Sequence, residues 1–202
     1  MLAACHSLPT PRPKLLVVED DPDLRTLISA ILTASGYRVR SSHDGFSALE
    51  EIRTELPDTV LSDLFMTGMS GFELLSVIRR RFPSIRVIAM SGSYSGRDVP
   101  AGVAADAFYE KATDIRSLLA MITDVRKNRH TPSKHATSTP IWIPAAMGDQ
   151  TGEPLALLSC TECLRTFPET LVASASVIDE SLCPFCLVPI QSTLVEPSYM
   201  EA

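Results

Sequence analysis

The chain has 202 residues and a mass of 22.0 kDa, room for one full domain and a small companion but not for a large multidomain enzyme. Hydrophobic residues make up 45% and charged residues 21%, which excludes wholesale disorder and a fibrous chain, and no stretch reaches the roughly 18 consecutive apolar residues of a spanning helix. The net charge of -6 is unevenly placed: residues 1–130 carry 16 basic and 16 acidic side chains, whereas residues 131–202 carry only Lys134 and Arg165 against 8 acids, so the C-terminal third lacks the clustered cations that nucleic-acid phosphates require.

Met1 to Cys5 superficially resembles the end of a lipoprotein signal, yet it lacks the basic and apolar segments that a secretion machine reads, and residues 1–13 are expected to be a disordered terminus. Residues 14–130 then alternate short β-branched runs with amphipathic stretches, the pattern of a parallel α/β sheet. The candidate strands are Leu15 to Val18, a segment near Tyr37 and Val39, Val60 with Leu61, Ile85 to Met90, and Ala107 to Tyr109. The first helix places Leu24, Leu27, Ile28, Ile31 and Leu32 at helical spacing, with Pro22 in its first turn and Gly36 at its end. Leu49, Ile52 and Leu56 mark a second helix, Leu74, Val77 and Ile78 a third, and Ile115, Leu118, Leu119 and Ile122 the last. Between the fourth and fifth strands, Ser93 to Gly102 carries two glycines and a proline, so any helix there must be short or frayed. Residues 131–153 turn to Thr, Ser, Pro and Gly without a period and read as a linker, in which Trp142, between Ile141 and Ile143, would anchor the segment to a domain or offer a contact point for a partner.

Ligand sites of open parallel sheets form at the carboxyl ends of the strands. Here those ends carry Glu19, Asp20 and Asp21 after the first strand, Asp63 on the third, Ser91 on the fourth and Lys111 just past the fifth. Carboxylates brought together repel one another unless a cation intervenes, and an all-oxygen cluster suits a hard ion such as Mg²⁺.

Three segments, Leu-Val-Val-Glu-Asp-Asp-Pro-Asp-Leu-Arg (16–25), Val-Leu-Ser-Asp-Leu-Phe-Met-Thr-Gly-Met-Ser-Gly-Phe-Glu-Leu-Leu (60–75) and Ile-Ala-Met-Ser-Gly (88–92), resemble in order and spacing the receiver domain of bacterial two-component response regulators. The resemblance covers about residues 14–130 and implies a flavodoxin-like (βα)5 fold with strand order 2-1-3-4-5. It further implies a cytoplasmic phosphoacceptor rather than an enzyme, taking a phosphoryl group on Asp63 from a histidine kinase or a phosphotransfer protein. By the same resemblance, Glu19, Asp20, Asp63 and the backbone carbonyl of Phe65 would hold Mg²⁺. Lys111 would offset phosphoryl charge, Ser91 would hydrogen-bond a phosphoryl oxygen, and Phe108 would change rotamer in response. Two positions depart from the family pattern: Thr67 and Ala112 stand where prolines are usual. A cis bond without proline costs about 3 kcal/mol, so the peptide joining Lys111 to Ala112 is expected to be trans or strained.

The C-terminal third holds Cys160-Thr-Glu-Cys163 and, after 19 residues, Cys183-Pro-Phe-Cys186. Two C-x2-C turns joined by a spacer long enough for a hairpin suit a tetrahedral four-thiolate Zn²⁺ site of the zinc-ribbon kind, over residues 154–192 with a tail at 193–202. Neither half has the glycine that often follows the second cysteine. The spacer's small apolar set could not stabilise such a module alone, so metal would supply much of its folding free energy. Two disulfides, or a redox dithiol at Cys183 and Cys186, are the rival readings. The four thiolates with one Zn²⁺ add -2 to an acidic module, which favours a protein partner over DNA. His6, His43, His130 and His135 lie away from ligand spacing and read as solvated, and the run Arg79-Arg80-Arg81 sits at a helix's negative end. The expectation is a response regulator whose receiver is linked flexibly to a zinc module. The alternative is an adaptor that uses the receiver fold without phosphorylation.

Overall fold

The structure is a computed structural model that describes residues 11–93, 103–111, 113–127, 141–144, 155–170 and 179–195. The frayed helix expected around Ser93 to Gly102 falls almost wholly outside these residues, as do Ala112 and the N-terminal decapeptide.

Five parallel strands, β1 (Lys14–Val18), β2 (Arg38–Ser42), β3 (Thr59–Asp63), β4 (Arg86–Ser91) and β5 (Ala107–Glu110), form one sheet in the order β2-β1-β3-β4-β5. The inner strands are apolar on both faces, as a sheet covered on two sides requires: Leu15 to Val18, Val60, Leu61 and Val87 to Met90 are all buried. On one face, Leu16, Val60 and Val87 meet α2 (Gly45–Thr54) and α3 (Gly71–Arg81). On the other, Val17, Leu61 and Ile88 meet α1 (Pro22–Ala34) and α4 (Ile115–Lys127). Each of the first three helices begins on a side-chain acceptor. Asp21 takes the N–H groups of Asp23 and Leu24, Asp44 closes a capping box with Ser47, and Ser70 takes the N–H of Glu73.

Two periodic leucines do not enter the core. Leu27 is exposed because the buried stripe of α1 narrows to Ile28 and Leu32. Leu56 is exposed because α2 stops at Thr54: Glu55 is extended and Pro57 follows, so the chain leaves the helix before Leu56 can turn inward.

The C-terminal third forms two small sheets. An antiparallel pair joins β7 (Leu155–Ser159) to β8 (Thr166–Thr170), and a second sheet has the order β6-β10-β9, from β6 (Ile141–Pro144), β9 (Asp179–Leu182) and β10 (Pro189–Val195). Strand β6 lies within residues 131–153, expected as a linker, and runs parallel to β10, which extends beyond residue 192. The short apolar run Ile141-Trp142-Ile143 is a strand by composition, and β10 supplies the edge it pairs with.

Each antiparallel pair carries one cysteine pair at its turn, and the two turns repeat each other. The N–H of Leu164 donates to the Cys160 carbonyl at 3.0 Å and the N–H of Cys160 to the Arg165 carbonyl at 3.0 Å. In the second turn the N–H of Leu187 donates to Cys183 at 2.9 Å and the N–H of Cys183 to Val188 at 3.0 Å. The residue after the second cysteine is left-handed in both, with φ of 56° at Leu164 and 61° at Leu187. This is the conformation that favours glycine, so both leucines hold strained backbone.

The module does not stand apart from the receiver. Helix α3 is buried without interruption from Gly71 to Ile78, although one face would suffice for contact with the sheet. Its second face is covered by the C-terminal third: Leu158, Cys160, Phe167, Cys183 and Ile190 belong to the same apolar cluster as Val77. Within this contact Glu73 is 3% exposed and its Oε1 accepts the N–H of Ser159 at 3.0 Å. Burial pushes the Glu73 carboxyl up to about 8, against hydrogen bonds from the Ser159 backbone and hydroxyl. Apart from β6, residues 131–153, expected as a flexible linker, lie outside the described residues, while the described parts of the C-terminal third pack on α3.

Folded Glu73 keeps its proton up to about pH 8, whereas the unfolded carboxyl loses it near the ordinary value of 4.5. Its contribution is therefore complete below about pH 4.5 and declines as pH rises towards 8. Denaturant titrations should find Glu73→Gln gaining on the wild type by about 2–4 kcal/mol between pH 5 and pH 8; a pH-independent difference would refute the buried neutral acid. Leu187 is 73% exposed, so replacing it with glycine removes strain and little packing. Leu187→Gly should stabilise the zinc-supplemented protein by about 1 kcal/mol, read as a rise in Tm.

Candidate functional site

The parallel register determines which polar residues meet. Val18 pairs with Ser62 and Asp63 with Met90, so Glu19, one step past β1, arrives beside Asp63 at the end of β3. Ser91 pairs with Glu110, which brings Lys111 to the same edge. There the Lys111 Nζ lies 2.6 Å from Asp63 Oδ2, 2.9 Å from Glu19 Oε2 and 3.1 Å from Glu19 Oε1.

Both carboxyls are withdrawn from solvent, Glu19 at 1% and Asp63 at 4% exposure. Burial pushes the Glu19 carboxyl up, Lys111 opposes this by its hydrogen bond, and the charge of Asp63 adds to it. Burial alone would lower Lys111, but its hydrogen bonds to Asp63 and Glu19 outweigh that and hold the ammonium above the ordinary lysine value. The cation is therefore kept charged where two acids need it.

The surrounding backbone fixes these groups. Asp63 Oδ1 accepts the N–H of Phe65 at 3.2 Å, and the Phe65 ring meets Phe72 edge to face with centroids 5.8 Å apart. Gly71 is pressed against the end of β3: a Cβ there would lie 1.9 Å from the Asp63 carbonyl oxygen. Only glycine lets α3 start so close to Asp63. Ser91 is fully buried and its Oγ accepts the N–H of Ser93 at 3.0 Å. Phe108 is half-buried on β5, packed against the cluster that contains α3, while Tyr109 on the other face donates its hydroxyl to the Thr113 carbonyl at 3.0 Å. Asp21 caps α1 and is not among the clustered acids.

One residue at this edge has no counterpart in the sequence reading. Arg25 reaches back from α1 and donates to the Glu19 carbonyl at 2.6 Å and the Asp20 carbonyl at 3.2 Å, pinning the loop that presents both acids. Its position one turn into a helix that follows an acidic loop was the available signal. The run Arg79-Arg80-Arg81 also serves tertiary contacts. Arg79 pairs with Asp106 at 2.9 Å, Arg81 lies 6.0 Å over the Phe82 ring, and Arg80 is half-buried beside Glu162 and Cys160.

Ligand-capable oxygens of Glu19, Asp20 and Asp63 all lie within 4.8 Å of one another. Glu19 Oε2 is buried and lacks a partner of hydrogen-bond geometry despite its closeness to Lys111, and it belongs to an all-oxygen donor set. Such an all-oxygen set fits a hard divalent cation. The four sulfurs of Cys160, Cys163, Cys183 and Cys186 likewise lie within 4.8 Å of one another, with Cys160 to Cys186 at 3.5 Å and Cys163 to Cys183 at 3.7 Å, and all four cysteines are free. A tetrahedron with metal–sulfur bonds of about 2.3 Å has edges of about 3.8 Å, close to these separations. Burial pushes the Cys160 thiol up. Burial raises Cys183 too, but the N–H groups of Phe185 and Cys186 outweigh it and hold that thiol low. Among the described residues no helix is long and apolar enough to cross a membrane.

Comparison with known proteins places this edge in context. The response regulator receiver domain family matches residues 15–123. The chain is 29% identical over 153 residues to the DNA-binding response regulator MtrA of Mycolicibacterium smegmatis, covering 73% of this chain and 67% of that protein. It is 36% identical over 80 residues to the nitrogen assimilation regulatory protein NtrX of Azorhizobium caulinodans, covering 39% of this chain and 18% of that protein. The chain thus spans between 18% and 67% of the length of these two relatives. Among solved structures it is similar to the response regulator TrrA of Thermotoga maritima in complex with Mg²⁺ and BeF, at 26% identity and a TM-score of 0.53, over 56% of this chain and 98% of that one. Sheet order, family match and relatives agree, and the chain belongs to the response regulator receiver family, whose work is phosphorelay signalling.

Proposed function

We propose that this chain is a cytoplasmic phosphoacceptor of a phosphorelay, with Asp63 the residue that receives the phosphoryl group from a histidine kinase or a phosphotransfer protein. The observation that carries this reading is the contact of Lys111 with both Asp63 and Glu19 at the carboxyl edge of the sheet. Transfer breaks the P–N bond of a phosphohistidine and forms a P–O bond to an Asp63 oxygen, and the departing imidazole takes up a proton. Such a reaction needs positioning and charge compensation more than covalent assistance from the protein.

Glu19, Asp20, Asp63 and the carbonyl of Phe65 would hold Mg²⁺, which supplies positive charge against the phosphoryl oxygens. Lys111, in contact with both Asp63 and Glu19, would supply a second positive charge. Ser91 would donate its hydroxyl to a phosphoryl oxygen, a role compatible with the Ser93 N–H that its Oγ accepts. Phe108, half-buried next to this edge, is the aromatic that would register the change. Arg25 positions Glu19 and Asp20 by holding their carbonyls.

The module around Cys160, Cys163, Cys183 and Cys186 would bind one structural Zn²⁺ as a zinc ribbon, within the expected bounds of 154–192. The sulfur separations and the paired turns support this reading. A closed four-thiolate site leaves no position for substrate, so the module serves recognition of a downstream protein rather than catalysis. Its acidity argues against a nucleic-acid partner.

Acetyl phosphate with Mg²⁺ should label the protein with an acid-stable, base-labile phosphoryl group, and Asp63→Asn should abolish the label; equal labelling of both proteins would overturn the assignment. Metal analysis of reduced protein should find about one Zn²⁺ per chain, lost when any one of the four cysteines becomes serine. A count near zero would remove the zinc reading and leave the phosphoacceptor reading intact.

A further inference from the structure

Helix α3 faces two ways. Its inner residues Leu74, Leu75 and Ile78 are buried in the receiver core. Glu73, Val77 and Arg80, at i, i+4 and i+7, form a second stripe. Glu73 accepts the N–H of Ser159, next to Cys160, and Arg80 at the far end lies beside Glu162 and Cys160, while Val77 between them is fully buried. On the other side of the contact, Cys160 and Cys183 are buried within the apolar cluster that includes α3. Two of the four candidate ligands thus belong at once to a metal site and to the surface that covers the helix.

We propose that the outer stripe of α3 is a docking surface for the metal-loaded four-cysteine module, so that filling or emptying the cysteine site fastens or releases the module and covers or uncovers Glu73, Val77 and Arg80. The inference rests on the zinc reading of the cysteines given above. Two physical arguments carry it. A module with so small an apolar set depends on its metal for folding, so the face formed by Leu158, Phe167 and Ile190 persists only while the sulfurs are gathered. A zinc tetrathiolate also carries a net charge of -2, and the Arg80 guanidinium lies where that charge develops, which favours the docked arrangement of the loaded form. The stripe left by the module exposes an apolar residue between an acid and a base, a surface available to another protein only in the metal-free form.

Hydrogen exchange on the full chain tests this directly. In zinc-loaded protein the amides of residues 73–80 should exchange slowly, and removal of zinc with a chelator should speed them by about tenfold or more, while those of α1 on the opposite face of the sheet keep their rates. Glu73→Arg should show the same fast exchange in α3 with zinc still bound at about one per chain, because it breaks the dock without touching a ligand. If zinc binds at one per chain and its removal leaves α3 unchanged, the docking proposal is overturned and the zinc reading stands. If no zinc binds, both fall.

Discussion

Two carboxylates buried within reach of one another repel, and a cation held against both offsets that repulsion. Glu19 and Asp63 meet this constraint through Lys111, and much of the receiver can be understood as the scaffolding that brings the three together. The sheet order places β1 next to β3, and β4 then sets β5 at the distance from which a lysine side chain can reach across. The α1 cap by Asp21 and the grip of Arg25 on two loop carbonyls aim the acids, and Gly71 lets α3 close in behind Asp63.

Helix α3 connects this site to the rest of the chain. Its first residue touches the backbone of Asp63, and its outer stripe carries the four-cysteine module. A helix enclosed on both faces is held more firmly than one lying on a sheet with its back to water, and Glu73 shows the cost. An acid placed in that second interface keeps its proton well above the ordinary carboxylate range, because burial outweighs the hydrogen bonds it accepts from Ser159. The two halves of the chain are therefore one packed object at α3, although their compositions differ sharply.

The cysteine module reaches its geometry at the expense of local strain. Its two turns are near copies, and each sets a leucine in left-handed backbone where glycine would relax. Leu164 recovers part of this by packing against the cluster beneath the module, whereas Leu187 stays in solvent next to the exposed Phe185, over which Arg165 lies at 5.2 Å.

The parallel sheet, its four described helices and the residues that gather at its carboxyl edge were legible in the order of residues, because these depend on local apolar periodicity and on a fixed rule for where strands end. The pairing of cysteines was also legible, since spacing alone limits what two C-x2-C turns can do. Long-range packing, by contrast, leaves Leu27 and Leu56 in water, lets Arg25 pin the acidic loop, pairs Ile141 to Pro144 with β10, and buries Glu73 beneath the module. Each of these depends on a contact between segments distant in the chain, Glu73 and Ser159 being 86 positions apart. Periodicity shows which face of a helix is apolar, but a polar residue on the other face reads the same whether water or a second domain will cover it.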